Sequence, residues 1–453
     1  MSIDTVKEET LKEYFELIKF PTVAADPMRL RDCVNCAMWL KKWLGEIGFI
    51  GRLEYAEGFL GAPPVLFAER PGDEGAPTVL FYGHYDVQPA DPIEEWKTDP
   101  FEPTLAENGR VYARGAQDDK GQFFSFLVGM KKLILSGARV PTIKVLLEGQ
   151  EETGSAMLTK LAEDMKESLA ADVLLVCDTS AAANLQPAIV AGLRGVAHFT
   201  VRLDAASSDL HSGEHGGIAP NPAAGIAQLI SSLHNPDGSI AVRGFCDRVS
   251  PPGEKERTLA EKAAISPEEY ESEFGVPPEG GEKGLTLTER NSFRPTIEVN
   301  GIHSGYAGPG SKTVIPSTAF AKISMRLVPD QSPHEVFSLV KEHLVRNTPR
   351  GMRLSFESEN EGLPGFRLPV NSPVFRLAEA ILEELDERGP VFQWDGASIP
   401  VVSVLTRISG AAPLLVGFGQ SEDRIHAPNE SYSLKQFALA SQWAEKILSA
   451  LAE

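Results

Sequence analysis

The segment PTIKVLLEGQEETGS, residues 141–155, runs from an apolar stretch into two adjacent acidic residues. Its first seven residues have the length and composition of a buried strand, and the small residues further on form a turn. Glu151 and Glu152 therefore place two negative charges at the edge of a core, which costs free energy unless something positive neutralises them. The turn contains no Lys or Arg, so we expect a metal ion beside this pair.

The composition is that of a soluble globular protein. At 453 residues the chain is too long for one ordinary core, so we expect two or three domains. Hydrophobic residues make up 42% and charged residues 23% of the chain, as in soluble proteins. The net charge of -20, from 43 basic and 63 acidic residues, argues against a nucleic acid or a membrane surface as partner.

The N-terminus and the cysteines indicate a cytoplasmic protein. Residues 1–9 lack the basic region and apolar core of a signal peptide, and no apolar run approaches the roughly 20 residues that span a bilayer. Cys33 and Cys36 form a Cys-x-x-Cys in a predicted helix, without a second pair, so we interpret them as small residues on that helix. With only Cys177 and Cys246 besides, a reducing cytoplasm fits best.

Strands alternate with helices over the first part of the chain. The predicted strands are 64–68, 78–82, 143–147 and 173–177, and the predicted helices are 5–20, 30–47, 121–136 and 155–167. This alternation predicts an α/β fold with a sheet covered by helices on both faces.

The pattern changes after about residue 192 and returns after about residue 370. Between them we predict strands at 198–203, 295–299, 319–327 and 352–357, helices at 222–233 and 333–346, and a Pro/Gly/Glu-rich stretch at 249–284. After them a helix at 372–386, apolar runs at 401–405 and 413–418, and a helix at 434–452 resume the first pattern. We therefore predict a catalytic domain of residues 1–192 and 371–453, interrupted by an inserted α+β domain of residues 193–370.

Four further motifs lie at the ends of predicted strands or in the loops that follow them. They contain His84 and Asp86, Asp118 and Asp119, Asp178, and His426. Each motif alone has a common structural explanation. His84 and Asp86 could be a surface pair, Asp118 or Asp119 a helix N-cap, Asp178 a turn residue, and His426 a solvated loop histidine. Together they bring two histidines and several carboxylates to the strand ends of one α/β sheet, where ligands bind. Mixed nitrogen and oxygen ligands suit zinc, whereas an all-oxygen set would suit magnesium or calcium.

These motifs resemble those of the co-catalytic dinuclear zinc exopeptidases and deacylases. That family includes carnosinase-type dipeptidases, glutamate carboxypeptidase, aminoacylase, acetylornithine deacetylase and succinyl-diaminopimelate desuccinylase. The similarity extends from the segment at residues 18–23 to Asn429 and Glu430. It implies a zinc-exopeptidase-like catalytic domain with a mixed central sheet between helices, interrupted by an inserted α+β lid and dimerisation domain, and hence a homodimer.

The resemblance also implies a role for each residue of the constellation. It implies two Zn²⁺ ions, which Mn²⁺ or Co²⁺ could replace. His84 and Asp178 would bind one zinc, Glu152 and His426 the other, Asp118 would bridge them, Asp86 would support His84, and Glu151 would be the general base. The family further suggests a cis peptide bond between Asp118 and Asp119.

The chemistry of the residues is consistent with these roles. Two metals roughly 3.5–4 Å apart can hold a hydroxide between them and polarise the scissile carbonyl. Adjacent side chains on an extended segment diverge, so Glu151 is free to take the proton of that water and pass it to the leaving amine. The nearby zinc charge stabilises the tetrahedral oxyanion.

The inserted domain carries a histidine motif, DLHSG at residues 209–213. It resembles the motif of the family's lid domain. There His211 would reach the active site, in many members that of the partner subunit, and would stabilise the oxyanion.

Three other motifs suggest how a small peptide substrate is bound. GSKTVIP at 310–316 and SMRLVP at 324–329 resemble the dipeptidase branch. Arg326 would form a bidentate pair with the free carboxylate of the substrate, and Thr313 is a further candidate contact. WDGASIP at 394–400 resembles the family's Gly-x-Ser-Ile-Pro loop, and its Gly396 and Ser398 would contact the same end of the substrate. Carnosinase-like members carry Glu-Gly-Gly where this chain has Trp-Asp-Gly-Ala.

Three functions remain as hypotheses. The leading one is a zinc dipeptidase of broad specificity. The second is an N-acyl-amino-acid deacylase of the acetylornithine or succinyl-diaminopimelate type, with the same metals and base. Asp178 favours the first, because deacylases and carboxypeptidases of this family tend to have Glu there. The third is an inactive relative acting as a binding protein, which predicts loss of Glu151 or of a ligand, and none is lost.

Overall fold

The computed structural model describes residues 6–59, 61–182, 185–368, 370–396 and 399–453. Within them the α-helices are α1 Glu8–Ile18, α2 Leu30–Glu46, α3 Lys120–Ser136, α4 Ala156–Asp164, α5 Lys166–Leu169, α6 Ser212–His215, α7 Pro222–Ser231, α8 Glu254–Lys262, α9 Pro267–Phe274, α10 Pro333–Arg346, α11 Pro373–Leu385, α12 Pro400–Ser409 and α13 Leu434–Leu451. The strands are β1 Ile50–Glu54, β2 Val65–Arg70, β3 Thr78–His84, β4 Thr104–Leu105, β5 Arg110–Tyr112, β6 Thr142–Glu148, β7 Val173–Val176, β8 Ala188–Leu193, β9 Gly195–Asp204, β10 Leu210–His211, β11 Thr296–Ser304, β12 Val314–Ile315, β13 Thr318–Leu327, β14 Arg353–Leu363, β15 Phe366–Arg367, β16 Val391–Asp395, β17 Ala412–Gly417 and β18 Ser431–Ser433.

The chain divides into two compact units. Unit 1 contains residues 1–191, 368–393 and 401–453, and unit 2 contains residues 192–367 and 394–400. The sequence prediction had included the short second segment of unit 2, residues 394–400, in the catalytic domain. Its Trp394 packs on Phe293 of unit 2, with ring centroids 5.3 Å apart.

Unit 1 is built on a mixed sheet with strand order β1-β2-β6-β3-β7-β17-β8. The four middle strands, β6, β3, β7 and β17, run parallel to one another, and antiparallel strands flank them. Residues 79–82 of β3 are fully buried, as expected for a parallel strand covered on both faces. Helix α2 contacts β1 and β2, and α3 contacts β3. The predicted α/β class with a mixed central sheet is confirmed.

Unit 2 is an α+β unit with an antiparallel sheet of order β11-β13-β9-β14. Buried and partly exposed residues alternate along β9 and β13, because successive side chains of a strand point to opposite faces. The buried face of β9, with Phe199 and Val201, packs with Leu229 of α7 and Phe337 of α10 in one hydrophobic core.

Helices α7 and α10 of unit 2 begin at conventional caps. Asn221 accepts a hydrogen bond from the backbone of Ala223, and Pro222 occupies the first turn of α7. Ser332 likewise accepts a bond from Glu335 N at the start of α10, which also begins with a proline. A capping oxygen followed by proline favours a helix start in each case.

Two segments for which the sequence predicts no helix are helical in the structure. The Pro/Gly/Glu-rich stretch 249–284 contains helices α8 and α9, each with a glutamate three residues after its N-cap that closes the first turn. The apolar run 401–405, for which the sequence predicts neither a helix nor a strand, is part of helix α12. A short apolar run does not distinguish a buried strand from a buried helix.

The other predicted helices and strands are present with shifted ends, and the predicted helix 155–167 is divided into α4 and α5. Cys33 and Cys36 are buried free thiols on α2, which supports the helix interpretation. Among the residues that are described, no helix combines the length and the apolar character needed to cross a membrane.

Candidate metal centre and active site

Parallel strands bring the predicted ligands to one edge of the unit 1 sheet. His84 is the last residue of β3, and the Glu151–Thr153 turn follows β6. Asp178 comes two residues after β7, and His426 lies in the loop after β17. Because these four strands are parallel, their carboxyl ends meet at the same edge, where α/β proteins bind ligands.

The first cluster contains His84, Asp118 and Asp178, whose ligand atoms lie within 4.8 Å of one another. His84 Nε2 is 3.1 Å from Asp118 Oδ1 and 3.7 Å from Asp178 Oδ2. His84 Nδ1 lies 3.1 Å from the carbonyl oxygen of Asp86. Since a carbonyl only accepts, Nδ1 carries the proton and Nε2 directs its lone pair at the two carboxylates. Such an arrangement is stable only with a proton or a metal ion between these atoms.

The second cluster contains Asp118, Glu152 and His426, again within 4.8 Å. His426 Nε2 is 2.9 Å from Asp118 Oδ2 and 3.4 Å from Glu152 Oε1. Hydrogen bonds with Asp118 and Glu152 raise the pKa of His426 to about 10. His426 has a φ of 60°, a strained conformation for a non-glycine residue. Asp118 thus presents one carboxylate oxygen to each cluster.

The clusters carry more negative charge than two imidazoles can balance. Burial raises the pKa of Asp178 to about 7. Burial also holds the pKa of Glu151 well above its ordinary value; His84 opposes this, and the negative charges of Asp178 and Glu152 add to it. Within the described residues, the long 3.4 Å contact with His426 is the interaction of buried Glu152 Oε1, and it does not reach ordinary hydrogen-bond geometry. Unsatisfied buried carboxylate oxygens indicate that cations belong here, so the donor set fits two divalent metal ions.

Asp86 organises both the first cluster and the turn that carries Glu151. Its carboxylate lies 3.4 Å from His84 Nδ1, and its two oxygens accept hydrogen bonds from the backbone N–H groups of Glu151 and Glu152, each at 3.1 Å. Gln88 donates to Glu152 Oε2 at 2.6 Å. Asp86 therefore fixes the position of Glu151, a role that the sequence did not reveal. Glu151 itself belongs to neither cluster.

A fully buried glutamate, Glu430, holds the loop that carries Asp118. Its Oε1 accepts hydrogen bonds from Gln117 N at 2.9 Å and Asp118 N at 3.1 Å. Its Oε2 accepts from Arg114 Nη1 at 2.7 Å and Gly115 N at 3.0 Å. The sequence shows Glu430 only as the end of the family resemblance. Its four donors lie more than 300 positions away, so no local pattern reveals its role.

The peptide bond that joins Asp118 to Asp119 is cis, as the family resemblance suggested. Asp119 Oδ2 accepts a hydrogen bond from His84 N at 3.1 Å. Gly115 in the same loop has a φ of 79°, and a Cβ there would lie 2.7 Å from Val87 Cγ1. The loop therefore needs glycine at this position.

Glu148, at the end of β6, is a second buried carboxylate that we had not singled out. Tyr82 Oη donates to its Oε1 at 2.5 Å and Ser155 Oγ at 2.9 Å. Burial raises the pKa of Glu148 to about 7. Its bond to Ser155 spans the turn that contains Glu151.

Residues 80–450 match the model of peptidase family M20/M25/M40. The chain belongs to this family. It is 32% identical to the Beta-Ala-His dipeptidase of Rattus norvegicus over 82% of this chain and 76% of that protein. It is 30% identical to the Cys-Gly metallodipeptidase dug1 of Schizosaccharomyces pombe over 96% of this chain and 94% of that protein.

A solved structure shows the same fold in another peptidase of family M20. The metallo-carboxypeptidase Sso-CP2 from Sulfolobus solfataricus superposes with a TM-score of 0.85 at 30% identity, covering 98% of this chain and all of that one. The predicted family and enzyme class are therefore confirmed, and the relatives support the dipeptidase branch.

Unit 2 of this M20 peptidase carries the remaining predicted residues. His211 and Thr313 lie together, with His211 Nε2 3.3 Å from Thr313 Oγ1. Arg326 is half-buried near the end of β13, and the carbonyl of Gly396 accepts a hydrogen bond from Arg194. Ser398 lies outside the residues that the structure describes.

Proposed function

We propose that this chain is a zinc dipeptidase that hydrolyses the amide bond of dipeptides or short peptides. The observation that carries the proposal is the position of Asp118, which presents one oxygen to each of two histidine–carboxylate clusters. Glu151 lies beside both clusters and belongs to neither. The names of the relatives, a Beta-Ala-His dipeptidase and a Cys-Gly metallodipeptidase, support a dipeptide as the substrate.

We assign the ligands by their contacts. His84 and Asp178 would hold one metal ion, Glu152 and His426 the other, with Asp118 shared. The mixed nitrogen and oxygen set favours zinc, which Mn²⁺ or Co²⁺ could replace. When bound, two such ions polarise the scissile carbonyl and acidify a water molecule.

Glu151 acts as the general base in this proposal. Its backbone is fixed by Asp86, so its carboxylate is available to accept a proton from the attacking water and deliver it to the leaving nitrogen. Burial, and then the negative charges around it, hold its pKa above the ordinary value, which strengthens it as a base. Two bound cations would offset those charges and so lower that pKa.

We further propose that unit 2 is the lid and dimerisation domain of a homodimer, and that its His211 stabilises the oxyanion. Gly213 N donates to His211 Nδ1 at 3.2 Å, so Nε2 carries the proton and is the donor. Thr313, Arg326, Gly396 and Ser398 would bind the carboxylate end of the substrate. All four cysteines are free, which supports a reducing, cytoplasmic location.

The test is a hydrolysis screen of the purified protein. Dipeptides with a free amino end are compared with N-acetyl and N-succinyl amino acids, before and after treatment with a chelator and after adding back Zn²⁺, Mn²⁺ or Co²⁺. We expect hydrolysis of the dipeptides, its loss on chelation, and its return with zinc. Faster hydrolysis of the N-acyl substrates would replace the proposal with a deacylase, and activity that survives complete metal removal would refute the metal assignment.

A further inference from the structure

Arg194 is a buried arginine in unit 2 with an unusual set of partners. It precedes β9 by one residue and is only 7% exposed. Its Nε donates to Gly396 O at 3.1 Å. Its Nη1 lies 3.3 Å from Arg294 O, and its Nη2 lies 3.3 Å from Asn291 Oδ1. One guanidinium thus joins three chain segments, as its planar fork of donors allows.

The segment 394–396, which contains Gly396, also packs closely against other residues of unit 2. Trp394 is buried and packs on Phe293, in the same helical turn as Asn291. A Cβ at Gly396 would lie 2.4 Å from Asn291 Oδ1 and 2.7 Å from Arg194 Nη2. A larger residue there would have to displace the Asn291 amide or the Arg194 guanidinium from its present contact with the backbone.

Arg326 places a second positive charge nearby, because it pairs with Val196, two residues after Arg194, in the β9–β13 ladder. Burial, and then the charge of Arg326, lowers the pKa of Arg194 to about 10. Burial also lowers the pKa of Arg326, which the negative charge of Asp395 opposes. The negative charges of Asp395 and Glu298 already oppose the lowering of the Arg194 pKa, and a substrate carboxylate would oppose it further.

We propose that Arg194 is a positioning residue for the carboxylate end of the substrate. It holds the 394–396 segment in place and adds its charge to that of Arg326, so that this region selects peptides with a free C-terminal carboxylate. With its hydrogen bonds directed at protein oxygens and its surface buried, Arg194 acts through Gly396 and Arg326. This inference rests on the proposed dipeptidase function.

The experiment compares a dipeptide with the same dipeptide amidated at its C-terminus. Arg194→Ala and Arg194→Lys are measured against wild type, with Arg202→Ala as the matched control. Arg202 is a more exposed arginine of β9 that pairs with Asp204. The lysine variant keeps the charge and loses the three-way contact, and it serves as the test if the alanine variant does not fold.

We expect both Arg194 variants to raise KM for the dipeptide by about 10- to 100-fold. The change in kcat for the dipeptide should be smaller, and so should the change in KM for the amidated dipeptide. In an inactive Glu151→Gln background, the dipeptide Kd should rise by the same factor. Arg202→Ala should change neither constant.

A dipeptide KM within twofold of wild type in both variants would overturn the inference, as would equal losses with the free and the amidated substrate. These outcomes concern Arg194 only, because they require a wild-type enzyme that cleaves dipeptides. A wild-type protein that cleaves none of them would instead refute the proposed function.

Discussion

The two regions that we connect with catalysis carry opposite charge. In unit 1, the carboxylates of Asp118, Glu152 and Asp178 surround two histidines. In unit 2, Arg194 directly precedes β9, and Arg326 lies on the neighbouring strand β13, paired with Val196. The first region lacks hydrogen-bond partners for a buried carboxylate oxygen, whereas the guanidinium of Arg194 donates to three oxygens of its own chain.

This difference indicates what each region binds. Unbalanced carboxylates require cations that are not part of the chain, so unit 1 is incomplete without metal ions. In unit 2 the guanidinium of Arg194 donates to backbone and amide oxygens, and in our proposal its charge and that of Arg326 favour an anionic substrate group. The chemistry of unit 1 provides the first test of this contrast.

Replacing Glu151 with Gln should have the largest effect. The amide cannot accept a proton at neutral pH, so kcat should fall by about 10²–10⁴-fold. Because Glu151 is in neither ligand cluster, the variant should retain two metal ions, measured by elemental analysis. Glu163→Gln, an exposed glutamate paired with Arg407, is the control. A Glu151 variant that retains wild-type turnover would contradict the general-base assignment.

Removing His211 should test whether unit 2 contributes to the chemical step. If Nε2 donates to the oxyanion, His211→Ala should lower kcat by about 10²–10³-fold, while leaving the metal content unchanged. His215→Ala, four residues further along the chain and half exposed, is the control. Equal turnover in both variants would remove His211 from the mechanism and leave unit 2 with substrate binding only.

The sequence predicted site residues best where a single residue follows a single strand. His84, Asp178 and His426 each follow a recognisable apolar run, and the parallel order of those strands brings them together. The carboxylate pair at Glu151 and Glu152 was visible for the same reason, since a charged pair beside a core demands a partner.

The residues that the sequence missed act through contacts between distant segments. Glu430 meets its donors 312 to 316 positions away, and Arg194 meets Gly396 at a separation of 202 positions. A single buried Glu or Arg has no periodicity or spacing to reveal such a role. The helices α8 and α9 were missed because we judged their stretch by its prolines and glycines, although both carry N-terminal capping glutamates.

Glu430 supplies the next test, because it orders the Asp118 loop without being a ligand. Glu430→Gln replaces one acceptor oxygen with an NH₂ group that faces backbone N–H donors. The zinc affinity should fall by about 10–100-fold, the range for residues that orient metal ligands, as measured by competition with a chromogenic chelator. Glu422→Gln, exposed in the same loop, is the control. Unchanged affinity in Glu430→Gln would show that the loop keeps its geometry without this carboxylate.

The smallest effect concerns the pH dependence of stability without metal. Burial raises the pKa of Glu148 to about 7 in the folded chain, from an ordinary value of 4.5. A carboxyl group whose folded pKa is raised contributes its stability below the unfolded pKa and loses it as pH rises through the folded value. Asp178 follows the same direction, with a folded pKa of about 7. The Tm of the chelated protein should therefore fall by roughly a few degrees between pH 5 and pH 8.

Zinc should reverse that trend, because its ligands must be deprotonated and its affinity therefore rises with pH. The Tm difference between zinc-loaded and chelated protein, measured by calorimetry, should widen from pH 5 to pH 8. Glu148→Gln stays neutral throughout this range and should flatten the curve of the chelated protein while leaving the zinc-dependent increase intact, since Glu148 is in neither ligand cluster. The Tm of the chelated wild-type protein could instead stay constant or rise between pH 5 and pH 8. That result would show that the buried carboxylates of unit 1 carry no excess of negative charge, and the contrast with unit 2 would be lost.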